Sequence, residues 1–263
     1  MSKTLGLALG AGGARGIAHV GFMKALDEAG IKPDYIAGCS MGAIVGGVYA
    51  NGMTPADMEE WVHSIKKRDI IDISALPITR MALLRTRKVR DMLLERIGDV
   101  RLENFAIPFK CVATDILSGK LHVFEDGPAA LAIQASCTIP TVFRPVRHNG
   151  MMLVDGGCLC RVPVQTVKEM GADVVVAVDV LTNCAEPVDD VKNIVKLILR
   201  VFDVIDNNQT KLRRQIEGEM CDLLIEPVLK GVSAYDIKAA ESTLDEGYEC
   251  GKAAVQKIKE LLD

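Results

Sequence analysis

The sequence predicts an α/β chain: a three-layer α/β/α domain built on a mainly parallel central sheet. Two patterns carry that expectation. Short apolar runs alternate with longer stretches of helical period, as in a sheet crossed over by helices on both faces. Val174–Val178 is a continuous aliphatic run, short enough for a strand buried on both sides as parallel strands are.

Thr4–Leu9 reads as a first strand. The loop Gly10-Ala11-Gly12-Gly13 follows, and then a helix from about Ala14 to Ala29 that buries Ile17, Val20, Met23 and Leu26 and stops at Gly30. Tyr35–Ala37 is a second strand ending at Gly38. Met41–Ala50 is apolar nearly all round, which predicts a buried helix. Thr54-Pro55-Ala56-Asp57 is a helix start: a capping hydroxyl, proline in the first turn and an acid near the N-terminus. A further helix is expected over Lys88–Ile97.

Phe109–Thr114 and Leu121–Phe124 flank Ser118-Gly119 and predict a hairpin. Asn149-Gly150 is a stronger hairpin signal, because both residues tolerate positive φ. It leads into a strand, Met151–Val154, that ends at Asp155-Gly156-Gly157. A long apolar helix is expected over about Val188–Lys211, a short strand over Leu223–Ile225, and a closing helix over about Asp236–Leu262. Residues 68–87 mix isoleucines and leucines with Pro77 and a cluster of arginines, a poor pattern for a regular buried element. They predict a lid within about residues 54–97 of a single domain spanning 1–263.

Hydrophobic residues make up 49% of the chain and charged residues 25%, ordinary globular composition. A net charge of −4 offers no general attraction to nucleic acid. No apolar run reaches the roughly 18 residues of a membrane-spanning helix. Leu5–Leu9 after Lys3 is short and dissolves into glycine, which fits a first strand better than an export signal. The eight cysteines form no Cys-x-x-Cys pair, so free thiols in a reducing cytoplasm are the expectation.

The sharpest local feature is Gly38-Cys39-Ser40-Met41-Gly42, set between a short strand and an apolar helix. In that setting G-x-S-x-G is a nucleophile elbow: its small residues permit a sharp turn that exposes the serine hydroxyl at the sheet edge. A serine hydroxyl needs a base, usually histidine. The four histidines are His19, His63, His122 and His148, and all precede Asp155. A triad in the order serine, acid, histidine therefore has no histidine to close it.

An aspartate can act instead if held within hydrogen-bond reach, but its ordinary pKa of about 3.9 demands a dry, rigid site. Asp155 ends an apolar strand before two glycines, which suits that task. Taken alone, it reads as a turn aspartate capping Gly157. The loop Gly10–Gly16 opens a helix and exposes backbone N–H groups, but a dinucleotide frame fails at Arg15 or at Ala11. In a serine hydrolase the same groups would form an oxyanion hole.

Together Gly12-Gly13-Ala14-Arg15-Gly16, Gly38–Gly42 and Asp155-Gly156-Gly157 resemble the patatin-like phospholipases, as do Gly16–Gly21 and Ala135–Pro140 with Phe143 and Pro145. The resemblance covers roughly the first 180 residues and is closest to small single-domain bacterial members. It implies a patatin-like fold and hydrolysis of an acyl-lipid ester, of phospholipase A or lysophospholipase type, with no metal or organic cofactor. Ser40 would be the nucleophile, Asp155 the base, and Gly12 and Gly13 the oxyanion donors. Arg15 would face a substrate phosphate or brace the loop. The family usually carries glycine where this chain has Ala11. If that position takes positive φ, alanine there costs on the order of 1 kcal/mol.

Two other readings stay open: a lipid acyltransferase using the same acyl-enzyme, and a low-turnover regulatory or lipid-binding protein on the same fold. His19 and Cys39 are expected to be structural. The helix 188–211 and the basic tracts 85–90 and 211–214 leave room for peripheral membrane contact or a homo-oligomer, with a cytoplasmic location otherwise.

Overall fold

The computed structural model describes residues 3–65, 87–181, 220–229 and 239–263, with isolated positions at 191, 197, 200–201, 204–205, 212 and 232. The expected lid segment 68–87 lies outside the described residues except Arg87. So does most of the expected helix 188–211.

Among the described residues one eight-stranded sheet forms the centre. Its strands are β1 (Leu5–Leu9), β2 (Tyr35–Gly38), β3 (Phe109–Asp115), β4 (Lys120–Phe124), β5 (Val146–His148), β6 (Met151–Asp155), β7 (Val174–Val178) and β8 (Leu223–Ile225). Five of them, in the order β3-β2-β1-β7-β8, run parallel. Strands β4, β5 and β6 pair antiparallel and extend the β3 side. The three-layer, mainly parallel expectation holds.

Side-chain alternation sorts the two faces. Leu5, Leu7, Leu9, Ile36, Val174, Val176 and Val178 join one large core. That core also holds residues of α1 (Ala18–Glu28), α2 (Met41–Ala50), α3 (Pro55–Ser64), α4 (Arg87–Ile97), α5 (Ala129–Ser136) and α7 (Ala240–Leu262). Their neighbours Ala8, Ala37, Val175 and Ala177 face the other way and pack on α6 (Val164–Glu169). Small residues on that face let α6 lie close: a side chain at Gly6 would meet Val167 Cγ1 at 2.2 Å.

The closing helix is held by the same device. A Cβ at Gly21 would stand 2.0 Å from the Leu244 carbonyl oxygen, and one at Gly247 would stand 2.0 Å from that of Ala18. Helix α7 therefore lies directly on the backbone of α1 and fixes the helix that follows the glycine loop.

The two hairpins form as expected. Asn149 and Gly150 take φ of 47° and 78°, so the turn is built from left-handed residues. Other expectations needed adjustment. The first helix begins as a 3₁₀ turn, Gly13–Ile17, before the α-helix proper. The sequence does not announce helices α5 and α6, because Ala- and Val-rich runs after Pro128 and Pro163 carry no clear period of their own.

The arrangement around β3 positions the chemistry. Cys111 pairs with Gly38 of β2 and with Phe124 of β4, while Ala113 pairs with Asp155 of β6 and with His122 of β4. A residue has only two edges, so β4 takes one edge of β3 and β2 and β6 share the other. Since β2 runs parallel to β3 and β6 antiparallel, the two strands meet end to end. The residues just past the end of β2 and at the end of β6 are Ser40 and Asp155.

Candidate active site

Ser40 is the N-cap of α2, with φ 53° and ψ −120°. A non-glycine residue with this backbone stores strain of about 1–3 kcal/mol, and persists only where its surroundings over-determine it. The glycines on either side make the turn possible. A Cβ on Gly38 would stand 2.4 Å from the Gly42 carbonyl oxygen, and one on Gly42 would stand 2.2 Å from that of Leu9. The start of α2 is thus pressed against the end of β1, and the serine is lifted out at the strand edge.

Asp155 lies across the gap. Its Oδ1 accepts the Gly157 N–H at 2.8 Å and stands 3.8 Å from the Cys39 sulfur. The first glycine of Asp155-Gly156-Gly157 is sterically required: a Cβ on Gly156 would meet the Val112 carbonyl oxygen at 2.4 Å. The carboxylate that reads in sequence as a turn cap for Gly157 does cap it, and faces the elbow as well. Ser40 is 6% and Asp155 7% exposed, so both sit where water is scarce and a carboxylate base is less restrained by hydration.

Gly12 and Gly13 open the 3₁₀ turn beside this pair. Gly13 takes φ 53°, which a side chain resists, and a Cβ on Gly12 would meet Val180 Cγ2 at 2.3 Å. Among the described residues no acceptor takes the N–H of either glycine, so both N–H groups can donate to a bound oxygen. Ala11 has no positive φ, and its N–H donates to the Arg161 carbonyl at 2.9 Å. Alanine therefore fits there without strain.

Arg15, one of the expected substrate contacts, is buried, and its Nε donates to the Val232 carbonyl oxygen. This bond ties the glycine loop to Val232 through the Arg15 side chain. Cys39 is fully buried among Ala11 and Val112, and burial pushes its thiol pKa well up, so it stays a neutral packing group beside the serine. Among the described residues no group of three or more His, Cys, Asp or Glu side chains is arranged to hold a metal.

Sequence reasoning missed the supports beneath the loop. Arg161 and Asp179 form a buried ion pair, with Arg161 Nη2 2.6 Å and Nε 3.1 Å from Asp179 Oδ1. The pair holds the bend at Arg161, whose carbonyl accepts the Ala11 N–H, against the end of β7, where Val178 O accepts the Gly10 N–H. A charged residue inside Cys158-Leu-Cys-Arg-Val-Pro is a weak hint that something buried must pair with it.

His19 is fully buried and its Nε2 lies 2.8 Å from the Gly10 carbonyl oxygen, where it donates as the neutral ring. Burial lowers its pKa to about 4. A histidine neutral in the fold but protonated in the unfolded chain destabilises the fold as pH falls from about 6.5 toward 4. Urea melts at pH 7 and pH 5 should show that loss in the wild type, and a smaller loss in His19→Gln. Equal losses in both would remove His19 as the acid-sensitive group.

A family model described as patatin-like phospholipase matches residues 7–168. The chain belongs to the patatin-like phospholipase family. An uncharacterized NTE family protein of Mycobacterium tuberculosis is 40% identical over 189 residues, covering 72% of this chain and 52% of that protein. Lysophospholipase nte1 of Emericella nidulans is 35% identical over 181 residues, covering 68% of this chain and 12% of its own. This patatin-like chain thus spans about half the length of the mycobacterial relative and a small part of the fungal one.

The fold is shared more widely. VipD from Legionella pneumophila superposes with a TM-score of 0.65 at 15% identity, over 97% of this chain and 67% of that one. Human GIVD cytosolic phospholipase A2, solved with methyl gamma-linolenyl fluorophosphonate, gives 0.52 at 11%, over 99% and 59%. Among the described residues of the patatin-like chain, no helix is long and apolar enough to cross a membrane.

Proposed function

We propose that this chain hydrolyses fatty-acyl esters of lipids, of phospholipase A or lysophospholipase type, with Ser40 as nucleophile and Asp155 as general base. The observation that carries the reading is the strained Ser40 turn, facing a buried carboxylate and bordered by an apolar cavity of about 340 Å³. The cavity starts at Met41 and Ile17, next to the serine and at the end of the glycine loop. It continues past Ile44 and Val48 toward Trp61. Apolar walls with few polar groups suit an acyl chain. The fungal relative is named a lysophospholipase, which agrees with such a substrate.

Asp155 takes the Ser40 hydroxyl proton as Oγ bonds to the ester carbonyl carbon. The charge moves to the carbonyl oxygen, toward the N–H groups of Gly12 and Gly13. Collapse breaks the ester C–O bond, and the leaving alcohol takes the proton from Asp155. Water then attacks the acyl-serine, gives its proton to Asp155, and the acid leaves as Ser40 is reprotonated.

The chain-length dependence tests the cavity. With p-nitrophenyl esters, kcat/KM should rise from acetate through laurate, since each buried methylene contributes about 0.8 kcal/mol. Ile44→Trp fills the cavity one turn beyond Ser40. It should lower kcat/KM for laurate by at least about 10-fold while sparing butyrate. Equal loss on both esters, or a flat chain-length series in the wild type, would remove the cavity as the acyl site. Fatty-acid release from a panel of glycerophospholipids and lysophospholipids, read by mass spectrometry, identifies the lipid.

A further inference from the structure

The backbone of Ser40 is gripped by two consecutive side chains from elsewhere in the chain. Its N–H donates to Ser136 Oγ at 2.9 Å, and the Cys137 thiol lies 3.1 Å from its carbonyl oxygen. Ser136 is fully buried and Cys137 is 8% exposed. Burial raises the Cys137 pKa well above the ordinary thiol value, so the group stays an S–H that can donate. The next residue completes the arrangement: the Asp155 N–H donates to the Thr138 carbonyl at 2.8 Å. One turn at the end of α5 therefore touches both halves of the candidate dyad.

We infer that Ser136 and Cys137 are positioning residues that hold the nucleophile in its strained backbone conformation; the inference rests on the reading of Ser40 given above. The physical case begins with the strain. At φ 53° and ψ −120° the serine backbone would relax if nothing held it, and relaxation turns its side chain away from Asp155. The Ser40 carbonyl also receives N–H groups from Ala43 and Ile44 of α2. Its N–H has Ser136 alone as partner among the described residues.

Removing the Ser136 oxygen leaves a buried donor unmet, and the least costly response is for the Ser40 peptide to rotate toward another acceptor. Misplacement of a reacting atom by about 1 Å can cost on the order of 10²-fold in rate without touching the chemistry or the binding pocket. Thr138 contributes through its backbone, so the orientation of Asp155 does not depend on that side chain. Helix α5 thereby couples the two catalytic segments without supplying a group that meets substrate.

The test compares Ser136→Ala and Ser136→Thr with the wild type, and Cys137→Ala with Cys137→Ser, at a temperature well below every melting midpoint. Steady-state kinetics on a butyrate ester and the rate of labelling by a fluorophosphonate are read together. Ser136→Ala should lower kcat and the labelling rate by about 10- to 100-fold, with KM within about twofold. Ser136→Thr should recover most of the loss, because the oxygen is retained. Cys137→Ala should lose several-fold, and Cys137→Ser, which keeps a donor, less.

If Ser136→Ala does not fold, the Cys137 pair carries the decision with the same split. Rates within threefold of wild type in both alanine variants would overturn the inference. So would a rise in KM with kcat unchanged, or losses in Ser136→Thr and Cys137→Ser equal to those of the alanine variants. A wild-type chain that neither cleaves esters nor takes the label overturns the functional reading itself, a result distinguishable from the others.

Discussion

Ser40→Ala should abolish covalent capture of a fluorophosphonate and lower ester hydrolysis by on the order of 10⁴-fold or more, as loss of the nucleophile does in well-studied serine hydrolases. Alanine keeps the Cβ and the backbone contacts, so the melting midpoint should stay near that of the wild type. The positive φ at Ser40 adds a second expectation. Ser40→Gly is equally inactive, but glycine adopts that backbone without strain, and the variant should be more stable than Ser40→Ala by about 1 kcal/mol. Capture and melting are measured on the same preparations. Retention of most hydrolysis in Ser40→Ala would end the assignment. A Ser40→Gly variant less stable than Ser40→Ala would show that the elbow is not strained.

Asp155→Asn should lower kcat by about 10²–10⁴-fold, the usual contribution of a general base. The amide oxygen can still accept the Gly157 N–H that Asp155 Oδ1 accepts at 2.8 Å, so the turn should persist. Three of the four histidines, His19, His122 and His148, have contacts that do not involve Ser40 or Asp155. His148 pairs with Met151 at the far end of β6, while Asp155 is at the near end. His122 packs edge-on against Phe124, with ring centroids 4.5 Å apart, on the opposite edge of β3. His19 donates to the loop carbonyl of Gly10. Single-turnover kinetics on Asp155→Asn, His148→Gln and His19→Gln should separate one large effect from two small ones. A loss in either histidine variant as large as in Asp155→Asn, with the fold intact, would show that a serine–aspartate dyad is the wrong mechanism.

Features set by local chain chemistry were legible before the structure. Gly38–Gly42 announced a turn that only small residues allow, and Asn149-Gly150 announced its hairpin. Strand Val174–Val178 followed from an unbroken aliphatic run. What escaped depends on partners distant in sequence. Arg15 beside three glycines gives no sign in the sequence that Val232, 217 residues away, accepts its Nε. Arg161 is a lone cation until Asp179 is beside it, and the segment Ala135–Pro140 marks the family without showing that the Ser136 hydroxyl meets the Ser40 N–H. Ala11 looked like a defect because the residue needing positive φ is Gly13, two positions on. Spacing along a chain cannot say which glycine of a loop carries the unusual backbone.

The meeting of β2 and β6 on one edge of β3 makes that strand a ruler for the reaction. Gly38 sits at the mark of Cys111 and Asp155 at the mark of Ala113, so the separation of the proposed nucleophile and base is counted in residues of a third strand that supplies neither. Each mark is about 3.3 Å long, and a slip of one also turns every side chain to the opposite face. Loops between residues 40 and 109, or between 115 and 151, can lengthen or shorten without altering this count. One residue inserted between Cys111 and Ala113 cannot: it would drive the two strand ends apart while leaving Ser40 and Asp155 in the sequence. Variation in such a scaffold has wide freedom in the connections and almost none in the three residues Cys111, Val112 and Ala113.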